Sequence, residues 1–267
     1  MSLDFDDLLP VDRLRAALAE ATGRGATVAL LDTGVDVHHP DLQGVIVRSL
    51  EVSAQGGVPA VRETPTEGRP PGELDPVGHG TACAGILHEM APEAKLLSVR
   101  VMGSGGGMGG SGDQFIRGLQ WVLDQRPRIP VVNMSLGTTS ERFIVPLRRL
   151  VDQAYFEGTL LVAAGNNMGV PSYPALFASL IAVDNQSFPD PFIFEYKTGQ
   201  AIELAARGIY VRAPRAGGGY QLFTGTSFAT PHVTAIVARL LSINPFLTPF
   251  QVKALLFALR NNRSRTG

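Results

Sequence analysis

The chain has 267 residues, which is enough for one large domain or two small ones. Hydrophobic residues make up 45% and charged residues 18%, so the composition excludes a disordered, collagenous or coiled-coil protein. The 23 basic and 24 acidic residues give a formal net charge of −1, which excludes a general electrostatic attraction to nucleic acid or membranes. The charges are unevenly placed, because no acidic residue follows Glu203.

Apolar runs of strand length alternate with helical segments along most of the chain. A helix is predicted over 14–20 and a strand over 26–31, and the polar stretch 55–76, rich in Pro and Gly, predicts a long surface loop. Further helices are predicted over 79–90, 114–123, 142–156, 227–242 and from a capping box at Thr248, and further strands over 95–102, 130–136, 159–163, 179–183 and 201–205. This alternation predicts an α/β fold of three layers, αβα, with a mostly parallel central sheet and helices on both faces.

The predicted domain organisation is simple. No linker or repeat interrupts the alternation, so we expect a short helical extension over 1–24, a single domain over 25–260 and a tail over 261–267. Cys83 is the only cysteine, which excludes an intrachain disulfide. The first ten residues carry three aspartates where a secretory signal would be basic, and no apolar run approaches the roughly 20 residues of a membrane helix. These features favour a cytoplasmic location without membrane association, with a secreted mature domain as the alternative.

Three polar residues at the ends of predicted elements could carry catalysis. Asp32 ends the first strand, and His79 and Ser227 open helices, each close to glycine. In open α/β sheets, functional groups gather at the carboxyl ends of strands and at helix N-termini. Acyl transfer needs a hydroxyl nucleophile, an imidazole base and a carboxylate that orients the imidazole. Each residue alone could be a turn or helix cap, and it is the combination that favours catalysis.

Five motifs, in order, resemble those of the subtilisin-like serine proteases. They are Asp32-Thr33-Gly34, His79-Gly80-Thr81, Asn133-Met134-Ser135-Leu136-Gly137, Ala163-Ala164-Gly165-Asn166 and Gly225-Thr226-Ser227-Phe228-Ala229-Thr230-Pro231-His232. The resemblance implies a serine endopeptidase in which Ser227 attacks the scissile carbonyl, His79 acts as general base and then general acid, and Asp32 orients His79. It also implies that the Asn166 side chain and the Ser227 backbone N–H bind the oxyanion.

The same resemblance implies which residues bind a peptide or protein substrate. The substrate backbone would pair with an extended segment that includes Val101, Gly103, Ser104 and Gly105. The pocket for the side chain before the cut would be formed by Ser135, Leu136, Gly137, Ala163, Ala164 and Gly165, with Ser172 at its base. Small residues on both walls predict a preference for a large apolar side chain. No acidic residue lies between Ala163 and Pro174, which argues against cleavage after paired basic residues.

Other functional classes share single features with the chain. The serine motif is one residue from the nucleophile elbow of α/β-hydrolases, but that class needs an acid after the serine, and none is present. Gly105, Gly107 and Gly110 spell a dinucleotide-binding turn, but the ribose-binding acid expected about 20 residues later is missing. A peptide-binding pseudoprotease is the non-enzymatic alternative, and the presence of the complete triad argues against it. His88-Glu89 lacks the second histidine of a zinc motif, so no metal site is predicted there.

The chain departs from the family pattern after the His79 helix. Most members insert a calcium-binding loop there, whereas only 88–94 connect helix and strand here. Asp41 matches one of that site's usual ligands, but the loop that completes it is missing. We therefore expect no required cofactor and no strong calcium site at this position, with weaker calcium sites elsewhere left open. Because about two dozen residues precede the first strand, too few for the family's folding propeptide, we expect an excised catalytic domain or an intracellular member that folds alone. The narrower hypothesis is an intracellular protease that matures one dedicated precursor.

Overall fold

The computed structural model describes residues 10–53, 59–103, 110 and 112–261. Its helices are α1 (Val11–Glu20), α2 (Pro71–Leu74), α3 (His79–Met90), α4 (Gly112–Leu123), α5 (Ile144–Glu157), α6 (Thr226–Ile243) and α7 (Pro249–Leu259). Its strands are β1 (Thr27–Asp32), β2 (Ile46–Ser53), β3 (Ala60–Glu63), β4 (Lys95–Arg100), β5 (Val131–Met134), β6 (Leu160–Ala164), β7 (Ile181–Gln186), β8 (Phe194–Tyr196), β9 (Leu204–Arg207), β10 (Val211–Pro214) and β11 (Tyr220–Phe223).

Nine strands form one sheet in the order β3-β2-β4-β1-β5-β6-β7-β9-β8. The seven central strands are parallel, while β3 and β8 pair antiparallel at the two edges. Strands β10 and β11 form a separate antiparallel hairpin. Strand β1 lies between β4 and β5, so the sheet extends from β1 to one side through β4 and to the other side through β5. A change of side of this kind opens a crevice at the carboxyl end of the strand, and Asp32 lies at that end.

Two apolar cores lie on opposite faces of the sheet. Along β1, Val28 and Leu30 belong to the core that includes buried residues of α3 and α6. The alternate residues, Ala29 and Leu31, belong to a second core with α4 and α5. This alternation follows from the two-residue period of a strand and confirms the predicted three-layer α/β architecture. Helices α1 and α7 pack on the same side as α3 and α6.

The sequence predictions fail mainly at short or exposed strands. Helix α3 has its predicted bounds, and α7 begins with the predicted capping box between Thr248 and Gln251. The predicted loop over 55–76 was wrong in part, because it contains β3 and α2. Strands β2, β8, β10 and β11 were also not predicted, since they are edge or partly exposed strands without a continuous apolar run. None of the helices in the described ranges is long and apolar enough to span a membrane.

Candidate active site

The carboxylate of Asp32 and the imidazole of His79 are in direct contact. Asp32 Oδ1 lies 2.7 Å from His79 Nδ1, and it also accepts a hydrogen bond from the backbone N–H of Thr33 at 2.8 Å. The two side chains are buried, with 1% of Asp32 and 8% of His79 exposed. Within the described residues, the other carboxylate oxygen of Asp32 has no hydrogen-bond partner. The negative charge of Asp32 is therefore directed mainly to the imidazole.

Two glycines allow the turn after β1 to approach the start of α3. A Cβ atom on Gly80 would lie 2.0 Å from the carbonyl oxygen of Gly34 and 3.2 Å from the Asp32 side chain. A Cβ atom on Gly34, whose φ is +107°, would lie 2.0 Å from the carbonyl oxygen of Leu74. No larger residue fits either position without movement of the backbone, which explains why both motifs carry glycine.

Ser227 lies in the first turn of α6, and the residue that follows it contacts His79. The ring of the following residue, Phe228, is 5.1 Å from the His79 ring, measured between centroids. The Ser227 hydroxyl donates to the carbonyl of Ser135 at 3.0 Å, and within the described part of the chain no hydrogen bond joins it to His79. The start of α6 is held by Thr226, whose N–H donates to Asn167 Oδ1 at 2.8 Å and whose hydroxyl donates to the Gly165 carbonyl at 2.7 Å. These bonds place the serine at the end of β6.

A pocket of about 210 Å³ opens beside Ser227 and Asn166. Asn166 Oδ1 accepts from the backbone N–H of Met168 at 2.7 Å, which leaves the amide nitrogen of Asn166 as the group available for donation. The remaining lining residues are uncharged: Met102, Ser135, Leu136, Gly137, Thr139, Ala164, Gly165, Asn167, Ser172 and Thr226. No ionisable side chain is among them.

The structure places most of the predicted substrate-binding residues around this pocket, but two side chains lie elsewhere. Ala163 is 0% exposed and Val101 is 1% exposed, and both pack in the core with α4 and α5. The N–H of Val101 bonds to the Asp32 carbonyl at 2.9 Å, and the next residue, Met102, lines the pocket instead. The reason is strand alternation, which turns successive side chains to opposite faces. Gly103 is buried against Thr33 and the 76–77 turn, while Ser104 and Gly105 lie outside the described residues.

Asp75 organises the site and was not predicted from the sequence. Its carboxylate, 1% exposed, accepts from the Thr33 hydroxyl at 2.7 Å, the Gly78 N–H at 2.8 Å and the Thr81 N–H at 2.8 Å. The Thr81 hydroxyl donates to the same carboxylate at 2.6 Å. Asp75 therefore joins the turn after β1 to the start of α3. The signal in the sequence was an acid followed by Pro76 and Gly78 immediately before His79, a spacing typical of a capped turn.

The electrostatics of the site favour a protonated imidazole. Burial on its own lowers the pKa of His79, but the adjacent Asp32 carboxylate outweighs burial and holds the pKa of His79 well above its ordinary value. Cys83 lies one turn further along α3, with its thiol 3.4 Å from the Ser227 carbonyl. Burial raises the pKa of Cys83, so this thiol stays neutral and acts as a packed residue.

The subtilase family profile matches residues 23–264 of the chain. The chain belongs to the subtilase family. Thermitase of Thermoactinomyces vulgaris is 33% identical over 234 residues, which cover 83% of this chain and 77% of thermitase. The minor extracellular protease Epr of Bacillus subtilis (strain 168) is 32% identical over 261 residues, which cover 92% of this chain and 37% of Epr. The structure of sphericase superposes with a TM-score of 0.71 at 27% identity, over 88% of this chain and 83% of sphericase.

The family that the chain belongs to is a family of peptidases. The share of each relative's length that this chain covers differs. The chain spans 37% of Epr and 59% of subtilisin E of Bacillus subtilis (strain 168), but 77% of thermitase. The similarity therefore covers only part of the length of Epr and of subtilisin E, and most of thermitase.

Proposed function

We propose that this subtilase hydrolyses peptide bonds through a triad of Asp32, His79 and Ser227. The observation that carries the proposal is the 2.7 Å contact between Asp32 Oδ1 and His79 Nδ1. The first turn of α6, which carries Ser227, reaches His79 through the ring of Phe228. With Nδ1 held by the carboxylate, Nε2 is the nitrogen that accepts the Ser227 proton. For this transfer, the Ser227 hydroxyl must change its hydrogen-bond acceptor from the Ser135 carbonyl to His79 Nε2. Catalytic hydrogen bonds often become well aligned only when substrate is bound.

The reaction then follows from these positions. Ser227 Oγ forms a bond to the substrate carbonyl carbon as its proton passes to His79, and the carbonyl oxygen becomes negatively charged. The amide nitrogen of Asn166 and the backbone N–H of Ser227, at the N-terminus of α6, are the donors for that oxyanion. The C–N bond breaks as His79 returns its proton to the leaving amine. A water molecule then passes a proton to His79 as its oxygen bonds to the acyl carbon. His79 returns that proton to Ser227 Oγ as the bond from Ser227 to the acyl carbon breaks, and the acyl group leaves as a carboxylic acid.

We propose that the residue before the cut is large and apolar. The pocket beside Ser227 has an apolar wall from Met102 and Leu136 and no ionisable side chain. A charged side chain would lose its hydration there without finding a partner. Asp184 lines the adjoining pocket, but its carboxylate is paired with Lys197. Digestion of a peptide library should give cuts mainly after Phe, Leu, Tyr or Met, and cuts mainly after Arg or Lys would contradict this specificity.

We also propose that stability does not depend on calcium beside Asp41. Both oxygens of the Asp41 carboxylate accept from the Tyr220 hydroxyl, at 3.0 and 2.9 Å, so the carboxylate already has a hydrogen-bond partner. Within the described residues, the one group of three acidic, His or Cys side chains close enough to share an ion is Asp32, His79 and Cys83, which overlaps the triad. A chelator should leave the melting temperature unchanged, whereas a fall of several degrees would contradict the proposal.

The direct test of the function is turnover of a short peptide anilide with Phe before the scissile bond. The wild-type chain should release the anilide, and Ser227→Ala and His79→Ala should each lower kcat by several orders of magnitude with little change in binding. Maturation of one dedicated precursor is the narrower form of the proposal. Efficient hydrolysis of casein would contradict that narrower form but leave the triad assignment intact.

A further inference from the structure

We propose that Ser135 is a positioning residue for the reaction, because its hydroxyl holds the backbone of Ser227 at the start of α6. The buried residues Asn133 and Thr234 orient that hydroxyl. The proposal rests on the proposed peptidase function, which assigns the attack on the substrate to Ser227. Three features support it: a donor that α6 lacks, a directed chain of buried hydrogen bonds, and an exchange of hydrogen bonds between Ser135 and Ser227.

Pro231 removes the hydrogen bond that the Ser227 carbonyl would normally make within the helix. In an α-helix, a carbonyl accepts from the N–H of the fourth residue after it, and for Ser227 that residue is Pro231, which has no N–H. The proline ring also crowds this carbonyl. The Ser135 hydroxyl supplies a donor from outside the helix, at 2.7 Å. The Cys83 thiol, at 3.4 Å, is a second and weaker donor. A bond to the end of β5 thus replaces a bond within α6.

Buried side chains fix the direction in which the Ser135 hydroxyl donates. A carbonyl only accepts, so the Ser135 proton points to Ser227 and the Ser135 oxygen is left to accept. Asn133 Nδ2 donates to that oxygen at 3.0 Å, and Asn133 Oδ1 accepts from the Thr234 hydroxyl at 2.8 Å. The Thr234 hydroxyl also lies 3.0 Å from the Thr230 carbonyl, a bond common for threonine within a helix. The chain of donors therefore runs from α6 through β5 and back to the start of α6, and its three side chains are buried.

Ser135 and Ser227 exchange two hydrogen bonds that have different fates in the reaction. The Ser227 hydroxyl donates to the Ser135 carbonyl at 3.0 Å, while the Ser135 hydroxyl donates to the Ser227 carbonyl. Transfer of the Ser227 proton to His79 breaks the first bond, because the hydroxyl has one proton to donate. The second bond does not involve the reacting oxygen, so it holds the Ser227 backbone throughout the reaction. The same backbone carries the N–H that we assign to the oxyanion.

The test compares two buried hydroxyl groups, each of which donates to a backbone carbonyl. Ser135→Ala removes the proposed positioning bond. Thr159→Val is the matched control, because the Thr159 hydroxyl is buried and donates to the Ile129 carbonyl at 3.2 Å, at the opposite end of the parallel strands. Both variants should lower the melting temperature by a few degrees, since each loses a buried hydrogen bond. Ser135→Ala should also lower kcat for the anilide by roughly 10- to 100-fold with little change in KM, whereas Thr159→Val should leave kcat unchanged.

Two further variants separate positioning from folding. Ser135→Cys keeps a weak donor and should retain more activity than Ser135→Ala. Pro231→Ala supplies an N–H that can donate to the Ser227 carbonyl. It should therefore raise the melting temperature by more in the Ser135→Ala chain than in the wild-type chain, where the carbonyl already has its donor. It should not restore kcat to the Ser135→Ala chain, because a bond within α6 does not join Ser227 to β5.

Each outcome bears on the positioning role of Ser135. A wild-type kcat in Ser135→Ala, an equal loss of kcat in Thr159→Val, or the same effect of Pro231→Ala in both chains would overturn it. A shift in the pH midpoint of kcat/KM in Ser135→Ala would also overturn it, because the loss would then pass through the pair of Asp32 and His79. If the wild-type chain cleaves no anilide, the peptidase proposal fails. A larger effect of Pro231→Ala on the melting temperature of the Ser135→Ala chain would then confirm the hydrogen bond and refute its part in catalysis.

Discussion

Replacing Asp75 by asparagine tests how His79, the proposed general base, is held in place. The asparagine oxygen can still accept from Thr33 and Gly78, but its amide nitrogen would face the N–H of Thr81, which now donates to the carboxylate at 2.8 Å. One buried donor left without an acceptor costs about 1–3 kcal/mol. In a domain of this size, the melting temperature should fall by roughly 2–12 °C. Because Thr81 lies two residues after His79, the imidazole should also move.

The assay combines calorimetry with anilide turnover per active site. A displacement near 1 Å at a catalytic group costs on the order of 100-fold in rate, so kcat should fall by roughly 10- to 100-fold with little change in KM. Asp124→Asn is the matched control. Asp124 is exposed, and in the described structure its side chain accepts one hydrogen bond, from Gln120. Wild-type values of both melting temperature and kcat in Asp75→Asn would refute the reasoning. A lower melting temperature with unchanged kcat would limit Asp75 to a structural role.

Three further changes probe the same centre. Asn166→Ala should lower kcat by about 10²–10³-fold, the cost of removing an oxyanion donor in subtilisin, and an unchanged kcat would reject this donor. Catalysis needs neutral His79, and the pKa of His79 is raised, so kcat/KM should increase with pH through that raised pKa. Asp32→Asn should lower kcat and move the midpoint of this pH profile to lower pH. An unchanged midpoint would contradict the pairing of Asp32 with His79. Gly80→Ala should lower both the melting temperature and kcat, because its Cβ would lie 2.0 Å from the Gly34 carbonyl oxygen. A wild-type melting temperature and kcat would show that the backbone moves to accommodate the Cβ.

The residues proposed to be catalytic could be selected from the sequence because each lies where a strong local pattern ends. An apolar strand leads into Asp32, and glycines flank His79 and precede Ser227, so sequence alone assigned them to element ends. The strong hydrophobic pattern of the central strands likewise predicted the three-layer fold. The side-chain direction of Val101 could not be fixed, because a shift of one residue in a strand exchanges its two faces.

Long-range hydrogen bonds could not be predicted from the sequence, for a different reason. Asp75 meets Thr33 across 42 positions in the chain, a contact that no local spacing encodes. The hairpin β10–β11 was missed because its strands have four residues each, and β11 is largely exposed. Short exposed strands lack the alternation from which a strand is recognised. The contacts of Asp75 and the hairpin therefore required the structure, whereas the residues proposed to be catalytic did not.

The most direct measurement of the central claim is reaction of the intact chain with a fluorophosphonate, followed by intact mass and peptide mapping. An activated serine nucleophile should give a single adduct on Ser227, and His79→Ala should abolish it, because the base that takes the hydroxyl proton is gone. No adduct under conditions that label a known serine protease, or an adduct on another residue, would contradict the assignment of Asp32, His79 and Ser227 as the catalytic triad.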